Sequence, residues 1–258
     1  MGAELVGGLV ELRARLERWG YLNDPAMSIA EAVALYQENH ALAVDELATQ
    51  YHGRLVLRAR SGADERGDIG PATAAIINGR FCDTPDILPG SAIQEANWPE
   101  ACRRDITVSW NFQAAPGLTQ EETTAVWRSV KEEYERLFDI EMKLLGAENY
   151  GRSRINAQLL ALPGSTLAWS YLAQNNCAAR LQQSYDTTIR WSLNLAIGTW
   201  KHEVGHALGM NHTPGDRNSL MYPSMNGQTG LNQTDISQMI RLGYQRRTAP
   251  PDPGWGMF

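Results

Sequence analysis

Three of the five histidines in this 258-residue chain fall within one short run, His202-Glu203-Val204-Gly205-His206-Ala207-Leu208-Gly209-Met210-Asn211-His212. On a helix, positions i and i+4 lie about 40° apart in azimuth and about 6 Å apart along the axis. His202 and His206 therefore project from one face, and both imidazoles can reach a single zinc ion at about 2.0–2.1 Å. Glu203 flanks that face. It is too near in sequence to serve comfortably as a third ligand, but it is well placed to hydrogen-bond a water on the ion. His212 cannot join on an unbroken helix, because ten further residues would carry it about 15 Å along the axis. The chain must turn, and Gly209 is the residue able to take a positive φ and end the helix. Three imidazoles leave one tetrahedral position for water, the open arrangement of a catalytic site. An ion so held lowers the water's pKa towards about 7, and Glu203 can take the proton and pass it to a leaving amine. The expectation is hydrolysis by a metal-activated water, with His202, His206 and His212 as metal ligands and Glu203 as the catalytic base.

The elements around this run divide the chain into two unequal parts. In the first, Leu5, Leu9, Leu12, Leu16 and Trp19 recur at helical spacing up to Gly20. Ser28 followed by Glu31 reads as a capping box for a second helix to about Leu47. Pro71 opens a third, through Ile77 to Gly79. Residues 1–80 thus read as a small three-helix domain and 81–104, punctuated by Pro85, Pro89, Gly90 and Pro99, as a linker. The second part, 105–247, opens with an alternating strand at Ile106–Phe112. A helix capped by Thr119 and Glu122 follows, with Val126, Val130, Tyr134 and Leu137 along one stripe. Strands are expected at 155–162, 166–172 and 187–191, and helices at 193–208 and 234–242. The tail, 248–258, is Pro- and Gly-rich. This order suggests an α/β or α+β domain of about 140 residues, α+β being the class adopted.

The bulk numbers exclude some classes. The net charge is −6 with no Lys/Arg-rich run, so no nucleic-acid partner is expected. No apolar stretch approaches the ~18 residues that cross a bilayer, so no membrane span is expected. Glu4, Glu11 and Arg13 interrupt the N-terminus, which does not read as a signal peptide. With three cysteines, Cys82, Cys102 and Cys177, at most one bridge forms and one thiol is left over.

HEVGHALGMNH resembles the extended zinc signature of the metzincin peptidases, and Ser219-Leu220-Met221-Tyr222-Pro223 resembles their Met-turn, in the form of the matrixin, or matrix-metalloproteinase-like, branch. The resemblance implies a twisted mixed sheet with an active-site helix and a C-terminal helix, and a zinc metalloendopeptidase acting on proteins or peptides. Met221 would lie beneath the metal as a soft base, not a ligand. Leu167-Ala168-Trp169-Ser170-Tyr171 resembles the edge strand that receives substrate, with Ala168 binding it, and the loop from Tyr222 and Pro223 to about Gly230 would wall the pocket after the scissile bond. Some features depart from the family. No histidine lies between 100 and 200 and Trp169 stands where one structural-zinc ligand would be, so one zinc is expected. Calcium stays an open question, with Asp186 almost alone. His40 and His52 read as solvated helix residues. The first part resembles the peptidoglycan-binding-like domain that also forms matrixin propeptides, on Gly67-Asp-Ile-Gly-Pro-Ala-Thr73. Arg80-Phe81-Cys82-Asp83 after it is similar to a degenerate cysteine switch, in which Cys82 takes the open zinc position and silences a zymogen. Alternatively Cys82 is a free linker thiol or pairs with Cys102 or Cys177, and the first domain targets the peptidase to cell walls, with peptidoglycan as a partner. The resemblance implies an extracellular or secreted protein.

Overall fold

A computed structural model describes residues 8–22, 24–39, 81–82 and 96–248. The helix expected at 71–77, His40, His52 and the tail from 249 lie outside them. Two units emerge: residues 1–94 with 212–217 and 222–225, and residues 95–211 with 218–221 and 226–258.

In the first unit, α1 (Gly8–Arg18) and α2 (Ile29–Asn39) bury Leu12, Leu16 and Trp19 with Ile29, Ala32, Val33 and Tyr36. Trp19 stacks on Tyr36 with centroids 5.2 Å apart, and Tyr21 meets the same ring edge-on. Ser28 and Glu31 form the capping box at the start of α2: each backbone N–H donates to the other's side chain, at 2.8 and 3.2 Å. A two-residue strand, β1 (Phe81–Cys82), follows.

The second unit opens with one short helical turn, α3 (Glu100–Arg103), then β2 (Ile106–Trp110), α4 (Gln120–Leu137), β3 (Met142–Leu144), β4 (Ile155–Leu160), β5 (Thr166–Ser170), β6 (Leu181–Asp186), α5 (Leu193–Ala207) and α6 (Gln233–Arg241). Five of its strands run in the order β5-β6-β4-β2-β3. All pairs are parallel except β5 with β6, which makes the sheet mixed and the unit α+β. Thr119 and Glu122 close the capping box on α4, whose Val126, Trp127, Val130 and Tyr134 are buried. Trp127 packs on Trp200 of α5 at 4.8 Å between centroids, so the two helices share one aromatic core with Tyr185 of the sheet.

The sheet differs from expectation at three strands: β3 and β6 are unexpected, and one expected strand is absent. Residues 187–191, expected as a strand, are bent and irregular. Strand β6 ends at Asp186, whose carboxylate accepts from the Thr188 N–H and hydroxyl and from the Leu162 N–H. That carboxylate organises the turn after β6, an Asx-type role. Residues 96–104, within the span read as linker, pack into the second unit. Cys102 is disulfide-bonded to Cys177, with Cα atoms 5.7 Å apart, and Asn97 and Asn175 exchange two hydrogen bonds, at 2.9 and 3.0 Å. Among the described residues no helix is long and apolar enough to cross a membrane.

Candidate metal centre

Helix α5 starts at Ser192, whose side chain accepts from the Leu195 N–H. From Thr199 to Ala207 every residue is buried, Lys201, His202, Glu203 and His206 among them. Polar side chains at such depth require partners or a ligand.

The two imidazoles are oriented by carbonyl oxygens. His202 Nδ1 donates to Leu220 O and His206 Nδ1 to Met210 O, both at 2.7 Å. A carbonyl only accepts, so each neutral ring carries its proton on Nδ1 and presents an unprotonated Nε2. The two Nε2 atoms are 3.1 Å apart. Two lone pairs at that distance repel one another unless a cation draws both in, and the carbonyl bonds are the outer-shell partners that fix metal-ligating histidines elsewhere. His212 and Cys82 are both buried as well, in the first unit. Tetrahedral zinc with these bond lengths separates its donors by about 3.3–3.6 Å. The 3.1 Å between the His202 and His206 Nε2 atoms is close to that spacing, and the two imidazoles fit that ion.

Gly209 ends the helix at φ +103° and lets the chain reverse towards His212. The freed carbonyls at the helix end find side-chain donors: Trp98 Nε1 donates to Ala207 O and Tyr244 Oη to Leu208 O, both at 2.8 Å. A Cβ on Gly209 would collide with the Ala96 carbonyl oxygen. Gly209→Ala, adding both that clash and left-handed strain, is expected to destabilise the fold by about 2 kcal/mol or more in denaturant unfolding.

The turn at Ser219–Met221 hangs on one buried carboxylate. Asp235 accepts from the Ser219 hydroxyl, from Leu220 N and Asn232 N at 2.9 Å, and from Met221 N at 3.4 Å. Met221 lies beneath α5: a Cβ on Gly205 would sit 2.6 Å from its sulfur. Tyr134, whose hydroxyl pKa burial raises well above its usual value, donates to Lys201 O at 2.8 Å. Ala168 is fully buried in β5 opposite Tyr185, and Tyr222 and Pro223 are buried, with Cys82 N donating to Pro223 O at 2.9 Å. Sequence reasoning missed Asp235 as the anchor of this turn, although Asn232 and Asp235 stand at capping-box spacing and do form one. The Leu220 and Met210 carbonyls left no signal, since any residue supplies a carbonyl.

The family model described as matrixin matches residues 105–244. The chain belongs to the matrixin family. As a matrixin it is a zinc-dependent metallopeptidase, a hydrolase whose substrates are proteins or peptides. Among solved structures, that of myroilysin covers 64% of this chain and 90% of its own at 16% identity, with a TM-score of 0.41. No curated protein matches the chain.

Proposed function

We propose that His202, His206 and His212 hold one catalytic zinc ion, that Glu203 is the general base, and that the full-length chain is a latent endopeptidase with Cys82 in the fourth zinc position. The observation that carries this reading is the pair of Nδ1-to-carbonyl bonds, which turns two unprotonated Nε2 atoms onto one point. The likeness of Arg80-Phe81-Cys82-Asp83 to a cysteine switch supports latency. Zinc favours thiolate, and a sulfur in the open position leaves no place for the attacking water.

When bound, zinc supplies a Lewis acid that polarises the scissile carbonyl and acidifies water. Glu203 accepts the proton of the attacking water and returns it to the leaving nitrogen. The backbone at Ala168 binds the extended substrate by strand addition, and Tyr222 and Pro223 begin the wall of the pocket beyond the scissile bond. Met221 cushions the histidine pair from below. Calcium has no assigned role: the Asp186 carboxylate is engaged by the turn that it organises. An extracellular site of action is supported by the Cys102–Cys177 bridge.

Metal analysis of the full-length chain is expected to find one zinc. Removal of the Cys82-bearing segment is expected to release casein cleavage, which 1,10-phenanthroline then abolishes. Two tightly bound zinc ions, or metal-free protein that still cuts peptides, would overturn the assignment. Release of cell-wall fragments without casein cleavage would instead favour the reading in which the N-terminal part is a wall-binding module.

A further inference from the structure

Lys201 directly precedes the first histidine of the signature and is buried. Its side chain is only 6% exposed, and that of Glu133, on α4, is 15% exposed. The Lys201 ammonium donates to Thr229 O at 2.8 Å and lies 3.7 Å from Glu133 Oε2. The other Glu133 oxygen accepts from the Leu231 N–H at 3.2 Å. A buried ammonium and a half-buried carboxylate therefore grip consecutive parts of the loop between the Ser219–Met221 turn and α6. Gly198, one turn earlier on α5, completes the seat, since a Cβ there would overlap the Gln228 carbonyl oxygen.

The gripped loop leads back to the metal centre. Gln228 N donates to Asn226 Oδ1 at 3.0 Å, and Asn226 Nδ2 donates to Ser219 O at 2.6 Å. Ser219 adjoins Leu220, whose carbonyl orients His202. A continuous path of hydrogen bonds and backbone thus runs from Glu133 and Lys201 to the His202 ring. An ammonium with three donors and a carboxylate with two accepting oxygens suit this task, for together they hold two backbone groups of opposite polarity on one short segment. A pair that only filled space would be replaceable by apolar residues of like volume, which avoid the cost of burying charge.

We propose that Lys201 and Glu133 are a positioning pair that fixes loop 226–231 on the back of α5 and, through Asn226 and Ser219, sets the Leu220 carbonyl that orients His202. The consequence for zinc rests on His202 being a ligand.

Lys201→Met in the full-length chain keeps the length of the stem and removes the donor. Glu133→Gln keeps an acceptor for Leu231 and removes the charge. Val130→Ala, a core truncation on the same helix, controls for lost stability. Two quantities are read: hydrogen exchange at the Leu231 amide, and zinc affinity by competition with a chelator. Lys201→Met is expected to speed Leu231 exchange about tenfold or more beyond the Val130→Ala control. It is also expected to weaken zinc about tenfold, the size seen when an outer-shell partner is lost, with Glu133→Gln moving both in the same direction by less. Exchange and affinity no different from the control would overturn the proposal. So would faster exchange with unchanged zinc affinity, because the anchor would then stop short of His202. A wild-type chain that takes up no zinc would sink the ligand assignment instead, a separate failure, and Leu231 exchange would still decide whether the loop is anchored.

Discussion

Glu203→Ala is expected to lower kcat/KM on a peptide substrate by about 10³-fold or more, at unchanged zinc content, once the Cys82-bearing segment has been removed. General acid–base groups contribute about 10²–10⁴, and Glu203 is assigned two proton transfers, one from water and one to the leaving nitrogen. The retained zinc separates this role from ligation. Loss of zinc together with activity would make Glu203 a structural support of the site, and an active variant would remove it from the mechanism. Glu203→Gln, nearly isosteric, should behave like the alanine variant, because an amide cannot accept the proton.

The second large effect is a gain. Cys82→Ala in the full-length chain is expected to turn a silent protein into an active one, with a rise of about 10²-fold or more over the intact wild type. Zinc still bound through three imidazoles then has its fourth position open to water. The wild-type zinc should show one sulfur and three nitrogen neighbours by X-ray absorption, and the variant an oxygen in place of sulfur. Equal activity of the two unprocessed proteins would show that Cys82 does not govern latency. The other two cysteines do not compete for that role, because they are joined to each other.

Much of this was legible in the sequence because the signals are local. Thr119 with Glu122 marks the start of α4, and Ser28 with Glu31 that of α2, by side chains that bond within one turn. His202 and His206 declare a shared face by spacing alone, and Gly209 declares the break that His212 needs. Strand β6 was not legible. Its Gln182, Gln183 and Ser184 look like loop, yet it is an interior strand paired with β4 and β5. Gln183 donates to Ser170 Oγ, Gln182 to Asn156 O and Tyr150 Oη, and Gln158 to Ser184 Oγ. A buried strand held together by polar cross-strand bonds carries no apolar alternation to detect. The third helix expected at 71–77 lies outside the described residues. The polar supports of the metal centre were equally hidden. Asp235 and Lys201 act on backbone groups far along the chain, and neither residue type announces which carbonyl or amide it will meet.

The Asn97–Trp98 segment bears on how short an independently folding protease can be made. Trp98 closes the end of α5, Asn97 Nδ2 donates to Leu242 O at the end of α6, and Arg103 bonds Trp98 O and Gly243 O while lying over the Tyr244 ring at 4.4 Å. A fragment trimmed to the conventional start of the family match, residue 105, would lose every one of these fastenings and the Cys102 half of the bridge. An active fragment should therefore begin at or before Glu95, and natural maturation that preserves activity should cut upstream of the same point.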